Sequence, residues 1–424
     1  MREVEVKDQD NAAGRLASLF MRRILTATVL TVLAVACGGD PGEEPVTTSQ
    51  PPTTEAPTDA SEPVATSMTT TTPGETTTSA TSGTTNTTET TTTETTTSAT
   101  SGTTTTTTET TTTTPGTTTT TVTGPSPTPS PLTGLAVADP DSVNRRTMAV
   151  KVDNHWDGRP QVGIGEAEAV FELLVESGLT RFIALFHSVD STFVGPVRSV
   201  RPTDPHLLRH LNTTVLTSGG QDWIINTFPR NGVGVIGEIG VGGYRDESRR
   251  APHNYFVNTA ELRPTADQRL YPDTPPPPLF EIGDLPVSGI PGGVSKVTME
   301  WAPTNTVIWK WNGSTYERHL EDGPHTWTHV EGGEEVITAD VLAVIFSRLF
   351  YTTPPQGGVT LPTMETTGEG RVLFFAEGQV VDGRWERADT AQPFSFMLTD
   401  GSPITVPAGR PWISLFPDGR LVSW

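Results

Sequence analysis

Cysteine is almost absent: Cys37 is the only one in 424 residues. Without a second thiol there is no internal disulfide and no cysteine-based zinc site. Whatever folds must therefore be held by ordinary core packing. Lysine is scarce too, confined to Lys7, Lys151, Lys296 and Lys310, so positive charge is carried almost entirely by arginine. Basic residues are short overall, 28 Lys and Arg against 49 Asp and Glu, for a formal net charge of −21. Such a chain lacks the basic footprint that generic nucleic-acid binding requires. Gly-x-Ser-x-Gly and Walker-loop patterns are missing, which removes two common catalytic and nucleotide-binding signatures.

Long apolar runs are missing as well. The run 24–36 has thirteen residues, against about twenty for a helix that crosses the hydrocarbon core. It follows Arg22-Arg23 and ends in Ala34-Val35-Ala36-Cys37-Gly38-Gly39. A basic start, an apolar middle and small residues at the cut make a secretory signal over 21–36. The end resembles a bacterial lipobox, which implies a diacylglyceride on the Cys37 thiol and cleavage before it. Two or more acyl chains anchor a protein stably where one does not. The pattern departs at Ala34, where leucine is usual, and a non-lipidated signal with an Ala-x-Ala cut is the alternative. Residues 1–20 are polar and precede Met21 directly, so we expect Met21 to be the true start and 1–20 an artefact of start-site choice.

Residues 37–131 are mostly Thr, Ser, Pro, Gly and Glu, with ten acidic side chains and neither Lys nor Arg. So little apolar surface predicts a disordered stalk, and Ser/Thr/Pro tracts are also typical of O-glycosylated stalks. A coil of about ninety residues averages roughly 50–60 Å end to end, a spacer between membrane and head.

Residues 132–424 have enough apolar sequence for two domains. Strands are expected at 147–153, 181–188, 193–200 and 213–217; 170–175 fits strand or helix. Thr203-Asp204-Pro205 is a helix start running through 206–211, and a second helix is expected near 222–228. This alternation predicts an α/β first domain over 132–274. Pro275-Pro276-Pro277-Pro278 and Pro291-Gly292-Gly293 mark 275–300 as a linker. Residues 301–424 look like a smaller β-rich (α+β) domain, with a hairpin over 307–320 turning at Asn312-Gly313.

Five motifs in the first domain are recognisable together. They are Ala149-Val150-Lys151-Val152-Asp153-Asn154-His155; Arg159-Pro160-Gln161-x-Gly163; Glu172-x3-Glu176-x-Gly178-x-Thr180-Arg181-Phe182; Gly195-Pro196-Val197-Arg198-Ser199-x-Arg201; and Arg245 with Arg249-Arg250-Ala251-Pro252-His253-Asn254. In this order they resemble the DUF3048 family of YerB-like bacterial lipoproteins, from about residue 132 to the C-terminus. The resemblance implies N- and C-terminal family domains held outside the cytoplasmic membrane by lipid on Cys37. It implies no particular activity or cofactor.

The charged and amide side chains fall inside those motifs: Asp153, Asn154, His155, Arg159, Gln161, Glu172, Glu176, Arg181, Arg198, Arg201, Arg245, Arg249, His253 and Asn254. The guanidinium fork suits carboxylate or phosphate. One expectation is therefore an arginine-rich cleft for an anionic envelope ligand, such as a wall polymer or a prenyl phosphate. The structural alternative is an internal network in which Glu172 and Glu176 neutralise Arg181 and Arg198. A rival from another class is a wall-polymer phosphotransferase, vaguely similar to LytR-CpsA-Psr proteins, with a divalent cation on carboxylates such as Asp153. Outside that rival, no metal site is expected. His155 and His253 are candidate general bases. His206 with His210, and His325 with His329, have i, i+4 spacing but lack the Glu of His-Glu-x-x-His, and are expected at the surface. The glycine-rich segment 231–243 reads as a mobile loop over the cleft.

Overall fold

A computed structural model describes residues 127–286 and 293–424. The start-site reading of 1–20, the signal at 21–36, Cys37 and the stalk through residue 126 lie outside the described residues. Among the described residues, no helix is long and apolar enough to cross a membrane. Packing extends slightly ahead of residue 132: Ser130 is buried and its hydroxyl donates to Glu168 Oε1 at 2.8 Å.

Strands dominate. A ten-stranded sheet runs, in spatial order, Ser395–Met397, Gln379–Arg387, Gly368–Ala376, Val341–Ser347, Pro411–Pro417, Ala169–Leu174, Thr180–Phe186, Thr147–Asp153, Thr213–Leu216 and Gly234–Ile236. Pro411–Pro417 pairs in parallel with Ala169–Leu174, Trp412 opposite Val170. The sheet therefore continues from the first half of the sequence into the second. A six-stranded sheet is built from Gly323–Pro324, Tyr316–Leu320, Asn305–Trp311, Lys296–Ala302 and Val422–Ser423, with Thr338–Ala339 on its side.

Period-2 alternation explains why the central strands are buried on both faces. Met148, Val150, Val152, Phe182, Ala184 and Phe186 face one apolar core, which includes Trp301, Trp309 and Tyr316 of the smaller sheet. Ala149, Phe171, Leu173, Ile183 and Leu185 face the other, packed with Leu207, Leu211, Ile224 and Phe228 from the short helices.

The α/β expectation fits one edge only. There Thr147–Asp153, Thr213–Leu216 and Gly234–Ile236 are mutually parallel, with Asp204–Leu207, Asp222–Ile225 and Thr227–Arg230 in the crossovers. Those helices are four residues each, and the longest helix among the described residues, Thr259–Gln268, has ten. The start signals are correctly placed, and the helical stretches continue as a 3-10 turn over Arg209–Leu211 and through Asn226 into Thr227–Arg230. Residues 193–200 form no regular strand. They lie across the strand ends through isolated bridges, Val152 to Val197 and Val194 to Val257. The 275–300 segment, proline-rich at its start, contributes Glu281–Ile282, paired with Thr405–Val406, and buries Leu279, Phe280 and Leu285. Asn312-Gly313 does turn the expected hairpin, joining Asn305–Trp311 to Tyr316–Leu320. The glycine-rich 231–243 segment supplies the edge strand Gly234–Ile236. A Cβ on Gly234 would lie 2.6 Å from Thr214 Oγ1, so glycine there serves close packing.

Candidate functional site

Thr147–Asp153 and Thr180–Phe186 run antiparallel and place Asp153 opposite Arg181 at their ends. The 194–200 segment then zips against that end. Asp153 N–H donates to Pro196 O (2.8 Å), Arg198 N–H to Lys151 O (2.8 Å) and Val197 N–H to Tyr255 O (2.6 Å). Three segments distant in sequence thus meet around one buried carboxylate.

Asp153 Oδ2 bonds His253 Nδ1 at 2.5 Å and lies 3.4 Å from Arg198 Nε, while Oδ1 accepts the His155 N–H at 3.1 Å. Gly158 makes room for this carboxylate, since a Cβ there would sit 3.1 Å from Oδ2. The His253 ring stacks on His155 (centroids 4.7 Å, planes 18° apart), and His155 packs on the exposed Trp156 at 3.7 Å. Burial and the neighbouring His253 lower the His155 pKa.

Beside this group lies a set of cations. Arg181 Nη1 donates to Ser199 O (2.7 Å), and Arg201 Nη1 to the same carbonyl (3.3 Å). Arg201 Nε also pairs with Glu176 Oε2 at 2.8 Å. Lys151, fully buried, pairs with Asp204 Oδ1 at 2.8 Å, and Asp204 Oδ2 accepts the Arg201 N–H. Four cations, Lys151, Arg181, Arg198 and Arg201, face three carboxylates, Asp153, Glu176 and Asp204. Arg181 has no ion-pair partner among the described residues. Burial, then Arg201 and Arg198, hold its pKa down to about 10. Burial likewise brings Lys151 down to about 8 against the pull of Asp204. Burial raises the Glu176 pKa, but the hydrogen bond and charge of Arg201 outweigh it and the net shift is downward.

Glu172 is elsewhere. It does not neutralise Arg181 or Arg198. It is fully buried and accepts from Thr180 Oγ1 (2.7 Å), Arg318 Nη2 (2.7 Å) and Trp412 Nε1 (2.8 Å). Arg318 Nη1 also donates to His325 Nδ1, which fixes the ring with Nε2–H donating to Gln161 Oε1 at 3.0 Å. Gln161 Nε2 donates to Asp153 O (2.9 Å), and Asn154 Nδ2 to Thr180 Oγ1 (2.7 Å). Arg159 brackets Asn154 through Oδ1 and the backbone carbonyl. Burial and then Arg318 bring its pKa down to about 10. Asn154, Arg159, Gln161 and Glu172 therefore brace the ground under Asp153.

Arg245 and Asn254 stand apart from the cation set. Arg245 Nη1 donates to Asn254 Oδ1 at 2.7 Å, fastening the hairpin of Gly243–Arg245 and Tyr255–Val257. Arg249 Nη2 caps Pro160 O at 2.9 Å and lies over the Phe256 ring. The expectation of surface histidines is corrected at two positions. His325 is buried in the Arg318 network, and His210 is buried with Nδ1 accepting from Arg387 Nη2 at 3.0 Å. Arg318, Asp204 and Asp157 are site or support residues that motif inspection did not single out, and Lys151 appeared there only as part of its motif. Parity with Tyr316 and Leu320, which puts Arg318 on an inward strand face, was the available signal for the first.

Two family models match the chain: the DUF3048 N-terminal domain, a protein of unknown function, over residues 132–272, and the DUF3048 C-terminal domain over 296–413. A Bacillus subtilis (strain 168) protein named "Putative lipoprotein YerB" is 28% identical over 311 residues, covering 68% of this chain and 86% of that protein. The crystal structure of YerB protein from Bacillus subtilis superposes with a TM-score of 0.60 at 22% identity, over 70% of this chain and 99% of that one. At that identity the likeness concerns the fold alone.

Proposed function

The chain belongs to the DUF3048 family, and on that premise we propose that it is an exported, lipid-anchored protein whose head binds an anionic ligand of the cell envelope. The anchor is supported by the signal-like run ending at Cys37 and by the word lipoprotein in the name of the Bacillus relative. One observation carries the binding reading: Arg181 and Arg201 share the Ser199 carbonyl beside Arg198, which faces Asp153 and the Pro252 carbonyl, and there are too few carboxylates to neutralise the set. Arg198 Nε is shielded from solvent and makes no hydrogen bond among the described residues. Arginines held by carbonyls keep their charge available for a phosphate or carboxylate. The phosphotransferase reading would need Asp153 to hold a cation directly, and its oxygens are engaged by His253, Arg198 and the His155 N–H.

The test is calorimetry of the full chain with teichoic-acid fragments and with a prenyl pyrophosphate, with and without Mg²⁺. A charge-assisted hydrogen bond is worth about 1.5–3 kcal/mol, so Arg198→Ala should weaken binding roughly 10- to 150-fold while leaving the melting temperature nearly unchanged. Unaltered affinity, or a variant that fails to fold, would show the cluster to be a structural brace.

A further inference from the structure

One donor atom from each of His155, Asp157 and His253 lies within 4.8 Å of the other two. The three come from different places. His155 and Asp157 flank Trp156 where the chain leaves the Thr147–Asp153 strand, and His253 arrives from a loop about a hundred residues later. Asp153 accepts from His253 Nδ1, which fixes the proton on that nitrogen and leaves the Nε2 lone pair free. A buried carboxylate behind an imidazole is the arrangement that orients and strengthens histidine as a metal ligand. His155 Nδ1 accepts the Asp157 N–H at 3.2 Å and lies 3.7 Å from Asp157 Oδ2, so coordination through this nitrogen replaces that backbone contact. Adjacent donors on a tetrahedral zinc with bonds of about 2.0–2.1 Å are roughly 3.3 Å apart, so these two are within a few tenths of an ångström of coordinating distance. Asp157 is 58% exposed at its side chain and His155 22%, which leaves an entry path and freedom to close on an ion.

We infer that His155, Asp157 and His253 form a binding site for a divalent first-row transition ion of the zinc class, with Asp153 positioning His253 from behind. Two imidazoles and a carboxylate suit zinc better than calcium or magnesium. Three protein donors leave at least one coordination position open to water or to an oxygen of a ligand, the pattern of exchangeable rather than purely structural zinc. Zinc binding at these residues is independent of whether the neighbouring arginines hold an anion.

The test uses the full chain carrying Cys37→Ser, without a histidine tag, stripped with EDTA and titrated with Zn²⁺ in phosphate-free buffer, with bound metal measured by mass spectrometry. One zinc per chain is expected. Asp157→Asn and His155→Gln, both at solvent-accessible positions, should each weaken binding at least about ten-fold without changing the circular dichroism spectrum. Asp153→Asn, though not a ligand, should cost about 10- to 100-fold. Absence of zinc binding, or binding that Asp157→Asn and His155→Gln leave intact, would overturn the assignment, whatever the anion titrations show.

Discussion

Glu172→Gln is the sharpest probe of what holds the two family segments together. Glu172 belongs to the first segment, and two of its three donors, Arg318 and Trp412, belong to the second. Both members of the ion pair are fully buried, 0% and 1% exposed at their side chains. The Arg318 guanidinium is walled by the rings of Phe182, Trp309 and Trp412, at 5.3, 5.9 and 5.5 Å. Glutamine keeps the shape and removes the charge. It also turns an amide N–H₂ toward either Trp412 Nε1–H or the Arg318–Thr180 donors, a donor facing a donor. Removing one partner of a buried pair costs about 3–5 kcal/mol, because the survivor's charge is left uncompensated. With about 290 described residues at about 2.1 cal/mol/K each, the unfolding entropy is near 0.6 kcal/mol/K. The melting temperature should therefore fall by about 5–8 °C, measured by near-ultraviolet circular dichroism, where Trp309 and Trp412 report on the same locus. Adding Arg318→Met to Glu172→Gln should recover part of the loss, since the stranded charge is then gone. A drop below about 1 kcal/mol for Glu172→Gln, or a double variant less stable than the single one, would refute the reasoning.

Acid should destabilise the fold through His210. Burial and the Arg387 charge push its pKa down to about 3, against an ordinary value near 6.5. The unfolded chain therefore takes up a proton below about pH 6.5 that the folded chain refuses until about pH 3, and stability falls across that window as pH drops. By pH 4 the loss from this group alone is on the order of 3 kcal/mol. Urea titrations at pH 7 and pH 4 should show a smaller difference for His210→Gln than for the parent chain, and an unchanged difference would rule the group out. At the other end of the chain, Cys37→Ser should move the protein from the membrane fraction to the soluble exported fraction. Continued membrane association would refute the lipid anchor.

Local signals were readable where they decided the outcome locally. Asn312-Gly313 fixes its hairpin because only the four residues 312–315 separate strands that pair immediately, Trp311 opposite Tyr316. The apolar, partly β-branched run in 147–153 gives its strand. What sequence does not announce is which distant strand lies alongside. Ala169–Leu174 joins Pro411–Pro417 across some 240 positions, and no local preference encodes that pairing. The 193–200 segment has strand-like composition, yet Pro196 removes a donor, and the segment crosses strand ends through isolated bridges instead of extending a ladder. Helix starts were legible at Thr203-Asp204-Pro205. Helix lengths were not, because packing against the sheet sets them.

The candidate site divides along the same line. Asp153, His155, Arg198 and His253 are visible as polar members of the sequence motifs. Their grouping rests on the 194–200 crossing and on a loop about a hundred residues further along. Glu172 shows how far inference from the chain could have gone. In Val170-Phe171-Glu172-Leu173-Leu174 it stands in a strand apolar on both sides, so its charge must be met by a buried cation. Arg181 and Arg198, close in sequence, were the obvious partners. Arg181, however, is paired with Leu173 and so projects from the opposite face of the sheet to Glu172, and Arg198 lies on the segment that crosses the strand ends. A cation for Glu172 has to come from a strand face that is itself buried. Tyr316, Arg318 and Leu320 share one parity, and Arg318 is the arginine that such a face carries inward. The arginines left over at the strand ends are then free of Glu172. That freedom leaves Arg181 without a carboxylate partner among the described residues, while Arg198 and Arg201 keep Asp153 and Glu176, and the proposed anion site rests on that one uncompensated charge.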